Sequence, residues 1–264
     1  MRRRPRVPDR KYNDMELMVV VASRLLEDNA LVMVGTGGPC CATMLAQKLH
    51  APSLIPIFEA GGVGPILEKL PISVGQSRTY YRGLHAGSMD ATMNACARGL
   101  VDYCFLGGAQ IDMYGNLNST MIGKDYSSPK VRFPGSGGAN DLASMCWKTI
   151  VITPQDKKRF VGKLDFLTSP GYLTGKGARE KAGLYPGTGP YKVITNLGVM
   201  GYDTETCRMK LESLHRGISV EDVLNNTGFE LLVSDNLTDT PEPSDEELRV
   251  LRDSVDPDRL FIGR

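Results

Sequence analysis

Leu31-Val32-Met33-Val34-Gly35-Thr36-Gly37-Gly38-Pro39 is a short apolar run that empties into a glycine loop, and the segment from Cys41 to Leu49 beyond it has helix-forming composition. A run of this kind reads as a strand buried on both faces. Strand, glycine loop and helix in that order turn backbone N–H groups toward the loop, where an anion or a cofactor phosphate can be held. The same beginning recurs twice. Leu54-Ile55-Pro56-Ile57-Phe58 ends in Glu59-Ala60-Gly61-Gly62-Val63-Gly64, and Tyr103 to Leu106 ends in Gly107-Gly108-Ala109-Gln110-Ile111-Asp112. Between them Ser88 can cap a helix running through Arg98. Helical crossovers make such strands parallel, so the three turns are predicted to lie on one edge of an open, mainly parallel α/β sheet flanked by helices. That is the edge where open sheets take their ligands. Glu59, a carboxylate delivered there by a buried strand, is positioned to react as a nucleophile.

Working outward, Asn13 can cap a first helix while Glu16 reaches back, and Leu17, Val20, Val21 and Leu25 follow at helical spacing. Gly135-Ser136-Gly137-Gly138-Ala139-Asn140 precedes a helix predicted to reach Trp147, and Thr149 to Ile152 is the next strand. Gly171 through Gly189 is glycine-rich with interspersed charges and reads as a long irregular excursion or as contact surface for another chain. Lys192 to Met200 alternates as one strand should. Two C-terminal helices carry capping signals, Ser219 with Asp222 and Ser244 with Glu247, and the first stops at Gly228. Residues 1–11 are read as a basic, disordered arm around Arg2, Arg3, Arg4 and Arg6, and residues 12–264 as a single domain.

With 264 residues, 41% of them hydrophobic and 23% charged, the chain can bury a full core. A net charge of +1 supplies no global field for nucleic acid or an anionic membrane. No stretch approaches the roughly 20 apolar residues of a membrane span. The six cysteines contain no C-x-x-C pair and read as reduced core thiols, which places the expected compartment in the cytoplasm.

Several chemistries are set aside by pattern. The first glycine loop has Pro39 and Cys40 where a dinucleotide fingerprint needs its third glycine, and it carries no phosphate-loop lysine. His50, His85 and His215 lack metal-ligand spacing, so no metal is expected, and no G-x-S-x-G elbow occurs. The polar stretch from Asp112 to Asp125 lacks the glycine and closing glutamate of a calcium loop and reads as a hydrogen-bonded turn network. Taken alone, Glu59 also fits a carboxylate that caps a turn or pairs with a lysine, and each glycine loop alone also fits a tight turn without a ligand.

Several long strings, taken together and in order, resemble one family. They are Phe58-Glu59-Ala60-Gly61, Gly107 to Asp112, Gly115-Asn116-Leu117-Asn118-Ser119-Thr120, Arg132-Phe133-Pro134 continuing through Gly135 to Asn140, Thr168-Ser169-Pro170-Gly171, and Asn226-Thr227-Gly228-Phe229. The likeness is to the β subunits of glutaconate CoA-transferases, which are class I CoA-transferases, and it runs from about residue 12 onward. Ala60 stands where the family motif has serine, and Gly38 where its first loop usually carries a hydrophobic residue; neither change removes a reacting group.

The resemblance implies a homologous α subunit as partner in a hetero-oligomer, acyl-CoA and carboxylate substrates, and no permanently bound cofactor. It also implies Glu59 as the catalytic residue, with a short dicarboxylate such as glutaconate as the acid. CoA contacts and oxyanion donors are expected from Gly35, Thr36, Gly37 and Gly38, from Gly107, Gly108, Ala109 and Gln110, and from Gly135, Ser136, Gly137, Gly138, Ala139 and Asn140. The chemistry suits the residue: moving CoA between acids without losing thioester energy needs a carboxylate nucleophile, whose anhydride is as activated as the thioester it replaces. Two alternatives share the scaffold, an acyl-CoA hydrolase or decarboxylase, and a non-catalytic sensor of CoA thioesters or sugar phosphates.

Overall fold

The computed structural model describes residues 10–263, so Arg2, Arg3, Arg4 and Arg6 lie outside the described residues, whereas the end of the expected disordered arm is ordered: Arg10 pairs with Asp14 at 3.4 Å and Lys11 with Asp245 at 3.2 Å. Helix α1 (Asp14–Ser23) carries the predicted capping box, with Asn13 and Glu16 exchanging side-chain and backbone hydrogen bonds. Along the chain follow β1 (Leu31–Met33), α2 (Gly38–Leu49), β2 (Ile55–Ile57), β3 (Gly62–Val63), β4 (His85–Ala86), α3 (Met89–Ala97) and β5 (Tyr103–Leu106). Two small ribbons come next, β6 (Gln110–Ile111) with β7 (Leu117–Asn118) and β8 (Met121–Ile122) with β9 (Val131–Arg132). Then come α4 (Ala139–Met145), β10 (Lys148–Ile152), α5 (Ala178–Lys181), β11 (Gly189–Ile194), β12 (Gly198–Tyr202) and β13 (Met209–Leu214). Last are α6 (Val220–Asn225), β14 (Leu232–Asp239) and α7 (Asp245–Val250), whose end widens into a π turn over Leu251–Val255.

One ten-stranded sheet runs in the order β14-β13-β12-β11-β10-β5-β1-β2-β3-β4. Its middle, β11-β10-β5-β1-β2, is parallel throughout, and antiparallel pairs join it on both flanks. The turns after β1, β2 and β5 therefore share the carboxyl edge, as the apolar runs predict. Side-chain alternation divides the core between two faces. Val32 and Ile150 pack with α1, α2 and α7, while Met33, Ile57 and Cys104 face Cys96 of α3 and Leu142 of α4. Fully buried Leu17, Leu45 and Leu251 each contribute roughly 2 kcal/mol to the first face.

One expectation about the strands changes. Lys192 to Met200 is not one strand but parts of two, because Thr195 makes a turn: its Oγ1 accepts from Leu197 N and Gly198 N at 3.1 Å each, reversing the chain into β12. The segment from Gly171 to Gly189 is irregular, as expected, apart from one short helix, and it is anchored. It contains α5, and buried Arg179 donates to the carbonyls of Gly171 (2.8 Å) and Ala143 (3.1 Å) and to Thr188 Oγ1 (2.8 Å). Of the six cysteines, all free, five are buried in the core as expected and Cys207 is only half-buried; burial pushes the Cys40 thiol up to about 12.

Candidate active site

β2 ends one residue before Phe58, and the chain turns back at once into β3. Phe58 N donates to Gly62 O at 2.8 Å and Gly61 N to Phe58 O at 2.9 Å, leaving Glu59 and Ala60 at the tip. This reversal needs glycine at position 61, where φ is +123° and a Cβ would lie 2.1 Å from the Gly87 carbonyl oxygen. β3 then pairs with β4, which leads into Ser88, the cap of α3. The glutamate is thus mounted between its own strand and the first turns of α3.

Across the crevice, the Gly135–Asn140 loop closes on the carboxylate. Gly138 caps α4, and its N–H donates to Glu59 Oε1 at 3.1 Å. The approach is close: a Cβ on Gly138 would lie 2.9 Å from that oxygen and 2.7 Å from Met93 Cε of α3. Oε2 has no hydrogen-bond partner among the described residues. Glu59 is half-buried, with one oxygen tethered and one available.

The loop is held from behind by the polar stretch after β5. Gly135 N donates to Ser119 O at 3.1 Å, and Ser119 Oγ donates to Gly135 O at 3.0 Å. Ser119 N donates in turn to Thr168 Oγ1 at 2.9 Å, and Thr120 and Thr168 join their hydroxyls at 2.7 Å. Asp112 closes the network, accepting from Tyr114 N, Asn116 N and Asn116 Nδ2 at 2.8–3.1 Å. The segments Gly115 to Thr120, Arg132 to Asn140 and Thr168 to Gly171 are distant in sequence but form one continuous support behind Gly138.

The other two candidate loops stand on neighbouring strands of the same edge. Gly37 caps α2 without a side-chain partner, and because Pro39 has no N–H the first donors of that helix are the backbone N–H groups of Gly38 and Cys40. In the third loop Gly107 is exposed, whereas Gln110 is buried and its amide is spent internally. Its Oε1 accepts from Asn118 Nδ2 at 2.7 Å and Asp165 N at 3.0 Å, and its Nε2 donates to Asp165 Oδ2 at 3.1 Å. Gly108 O accepts from Arg159 at 2.7 Å. Sequence reasoning missed Thr92, Met93 and Tyr80, which surround the Glu59 turn. Their contacts join residues dozens of positions apart, and no local pattern marks them.

A tethered but half-free carboxylate thus stands among glycine turns at the carboxyl edge of a parallel sheet. The chain belongs to the Coenzyme A transferase family, whose profile matches residues 15–226. It is 37% identical to the B subunit of glutaconate CoA-transferase from Acidaminococcus fermentans over 260 residues, 95% of each chain. It is 36% identical to the B subunit of 3-oxoadipate CoA-transferase from Pseudomonas knackmussii over 248 residues, 91% of this chain and 92% of that one. The crystal structure of the A. fermentans glutaconate CoA-transferase superposes with a TM-score of 0.89 at 35% identity, covering 96% of this chain and 98% of that one.

Proposed function

We propose that this chain is the subunit supplying the nucleophile, Glu59, to a CoA-transferase that moves CoA between an acyl-CoA and a short dicarboxylic acid. The observation that carries this reading is the Glu59 carboxylate, one oxygen held by Gly138 N–H at 3.1 Å, in a chain of this family. The free carboxylate oxygen attacks the acyl-CoA carbonyl, forming an acyl-glutamyl anhydride and expelling CoA thiolate. The thiolate attacks the glutamyl carbonyl, releasing the first acid as its carboxylate and leaving CoA on Glu59 as a thioester. The acceptor carboxylate attacks that thioester to give a new anhydride and thiolate, and the thiolate takes the acceptor's acyl group, regenerating Glu59. No step consumes water or a proton.

Whenever Glu59 is the electrophile, negative charge develops on its own carbonyl oxygen. Gly138 N–H already lies against a glutamate oxygen, so this donor needs no reorganisation, and such a donor contributes roughly 3–4 kcal/mol to the transition state. The exposed Gly107 and the open start of α2 are the proposed contacts for the CoA moiety. Support for a dicarboxylate comes from the relatives named for glutaconate and 3-oxoadipate. Support for a homologous α partner comes from the naming of those relatives as B subunits, and six free cysteines agree with a reducing, cytoplasmic setting.

The test is a covalent trap. The chain, combined with its α partner and given acyl-CoA without acceptor, should accumulate glutamyl-CoA. Borohydride should convert it to an alcohol at position 59 and hydroxylamine to a hydroxamate, both read by peptide mass. A label on another residue, full activity from this chain alone, or thioester loss without an acceptor acid would each overturn the corresponding part of the reading.

A further inference from the structure

We propose that the hydroxyls of Thr92 and Tyr80 clamp the peptide carbonyls of Glu59 and Ala60 and act as positioning residues for the nucleophile, a role that rests on the reading of Glu59 given above. Thr92 is 2% exposed, and its Oγ1 lies 2.9 Å from Glu59 O and 2.9 Å from Met89 O. A helical threonine ordinarily satisfies its hydroxyl on a carbonyl of its own preceding turn. Here a second acceptor is brought to it by the end of β2, from 33 residues away. Tyr80 comes from a separate element, the 3-10 turn Ser77–Tyr80, and its hydroxyl donates to Ala60 O.

These two bonds fall where the backbone supplies none. The carbonyls on either side already have main-chain donors: Phe58 O receives Gly61 N at 2.9 Å, and Gly61 O receives Gly87 N at 2.9 Å. At the tip, the carbonyls of residues 59 and 60 are met by side chains instead. Rotation of the peptide after Glu59 would swing its Cα–Cβ bond and carry the carboxylate away from Gly138. The following Gly61 and Gly62 offer little resistance of their own, since glycine accepts many backbone conformations. The catalytic cycle loads Glu59 with an acyl group and then with CoA, and each intermediate must return its carbonyl oxygen to the same N–H. Two hydroxyls from different elements, both reaching the tip of one turn, meet that requirement.

The experiment uses the assembled two-subunit enzyme with Thr92→Val, Thr92→Ser, Tyr80→Phe and Glu59→Gln, measuring kcat, the KM for acyl-CoA and the rate of glutamyl-CoA formation in a single turnover. Thr92→Val keeps shape and removes the donor, so kcat and the single-turnover rate should fall about 30–100-fold, with KM changed by less than about threefold, as expected for misplacement of a reacting group. Thr92→Ser should recover to within about threefold of the parent, and Tyr80→Phe should lower kcat about tenfold. Serine as impaired as valine would mean that the Thr92 methyl group, not the hydroxyl, matters, and would overturn the clamp. So would near-parental kcat in both Thr92→Val and Tyr80→Phe, or losses confined to KM. If Thr92→Val does not assemble, half-buried Tyr80→Phe decides by the same criterion. An active Glu59→Gln enzyme would overturn the nucleophile reading itself, whereas an inactive one beside normal clamp variants would overturn the clamp alone.

Discussion

The α1 corner and the β2 turn each hold a glutamate against the start of a helix, and they treat it in opposite ways. Glu16 is 2% exposed and saturated: Asn13 N donates to Oε2 at 2.9 Å, Arg252 donates to both oxygens at 2.7 and 2.9 Å, and Arg259 donates to Oε1 at 3.2 Å. Burial alone would raise its pKa, but the hydrogen bonds from Arg252 and Asn13 and the two guanidinium charges outweigh it and bring the carboxyl below its ordinary value. Glu59 has one amide donor and no cation on it in the described structure. A carboxylate with every lone pair engaged is a structural anchor. One with a free oxygen can form a bond.

The strongest test of that contrast exchanges each glutamate for glutamine. Glu59→Gln should cut turnover at least about a thousandfold, because it removes a group acting in the chemical steps, and leave thermal unfolding nearly unchanged. A stable but active Glu59→Gln enzyme would erase the distinction. Next in size is Gly138→Ala, whose methyl would meet Glu59 Oε1 at 2.9 Å and Met93 Cε at 2.7 Å. It should lower kcat about a hundredfold while the donor remains present but displaced. Recovery of rate on also trimming Met93 would show that the loss is steric.

At the other corner, Glu16→Gln leaves two guanidinium groups facing a neutral amide and should cost about 3 kcal/mol of stability in denaturant unfolding, with normal turnover per folded molecule. Loss of turnover without loss of stability would break the comparison from this side. The smallest effect is pH-dependent. His215 is buried, its Nε2 lies 2.7 Å from Thr195 O, and burial lowers its pKa to about 4. A carbonyl can only accept, so Nε2 carries the proton and Nδ1 accepts from Thr240 Oγ1 at 3.0 Å. The unfolded imidazole binds a proton below about pH 6.5 and the folded one does not, so stability should fall by about 2 kcal/mol between pH 7 and pH 5. His215→Asn should flatten that slope, and an unchanged slope would assign it to other groups.

Much of this was legible because it is local. Asn13 with Glu16, Ser88, Ser219 and Ser244 announce helix starts within three or four residues, and the strands from Leu31, Leu54 and Tyr103 are continuous apolar runs that only a doubly covered sheet can bury. Glu59 was visible for the same reason, standing between such a run and two glycines. What escaped is tertiary. The alternation read from Lys192 to Met200 runs over two adjacent apolar pairs, Val193-Ile194 and Val199-Met200, and passes over the turn signal of Thr195-Asn196 and Gly198 between them. Glu16 reads as half of a capping box, and nothing nearby discloses Arg252 or Arg259. The Gln110 amide stands in a loop of conspicuous glycines, yet it is consumed by Asn118 and Asp165.

The anchoring of α1 also sets an order in time. Its partners Arg252, Arg259 and Ile262, the last accepting from Asn13 Nδ2 at 2.8 Å, lie 236, 243 and 249 residues further along the chain. Asp256 gathers the backbone N–H groups of Leu260, Phe261 and Ile262 into the loop that makes this contact, and the Phe261 ring lies 3.5 Å from where a side chain on Gly37 would begin. Neither the Glu16 carboxylate nor the Asn13 side chain can reach these partners until residues 252 to 262 have joined the fold. Contacts of such long range slow folding and leave early segments exposed during synthesis. The polar anchor of α1 is therefore made by the segment among the described residues that is most distant from it in sequence, and it closes only when that segment joins the fold.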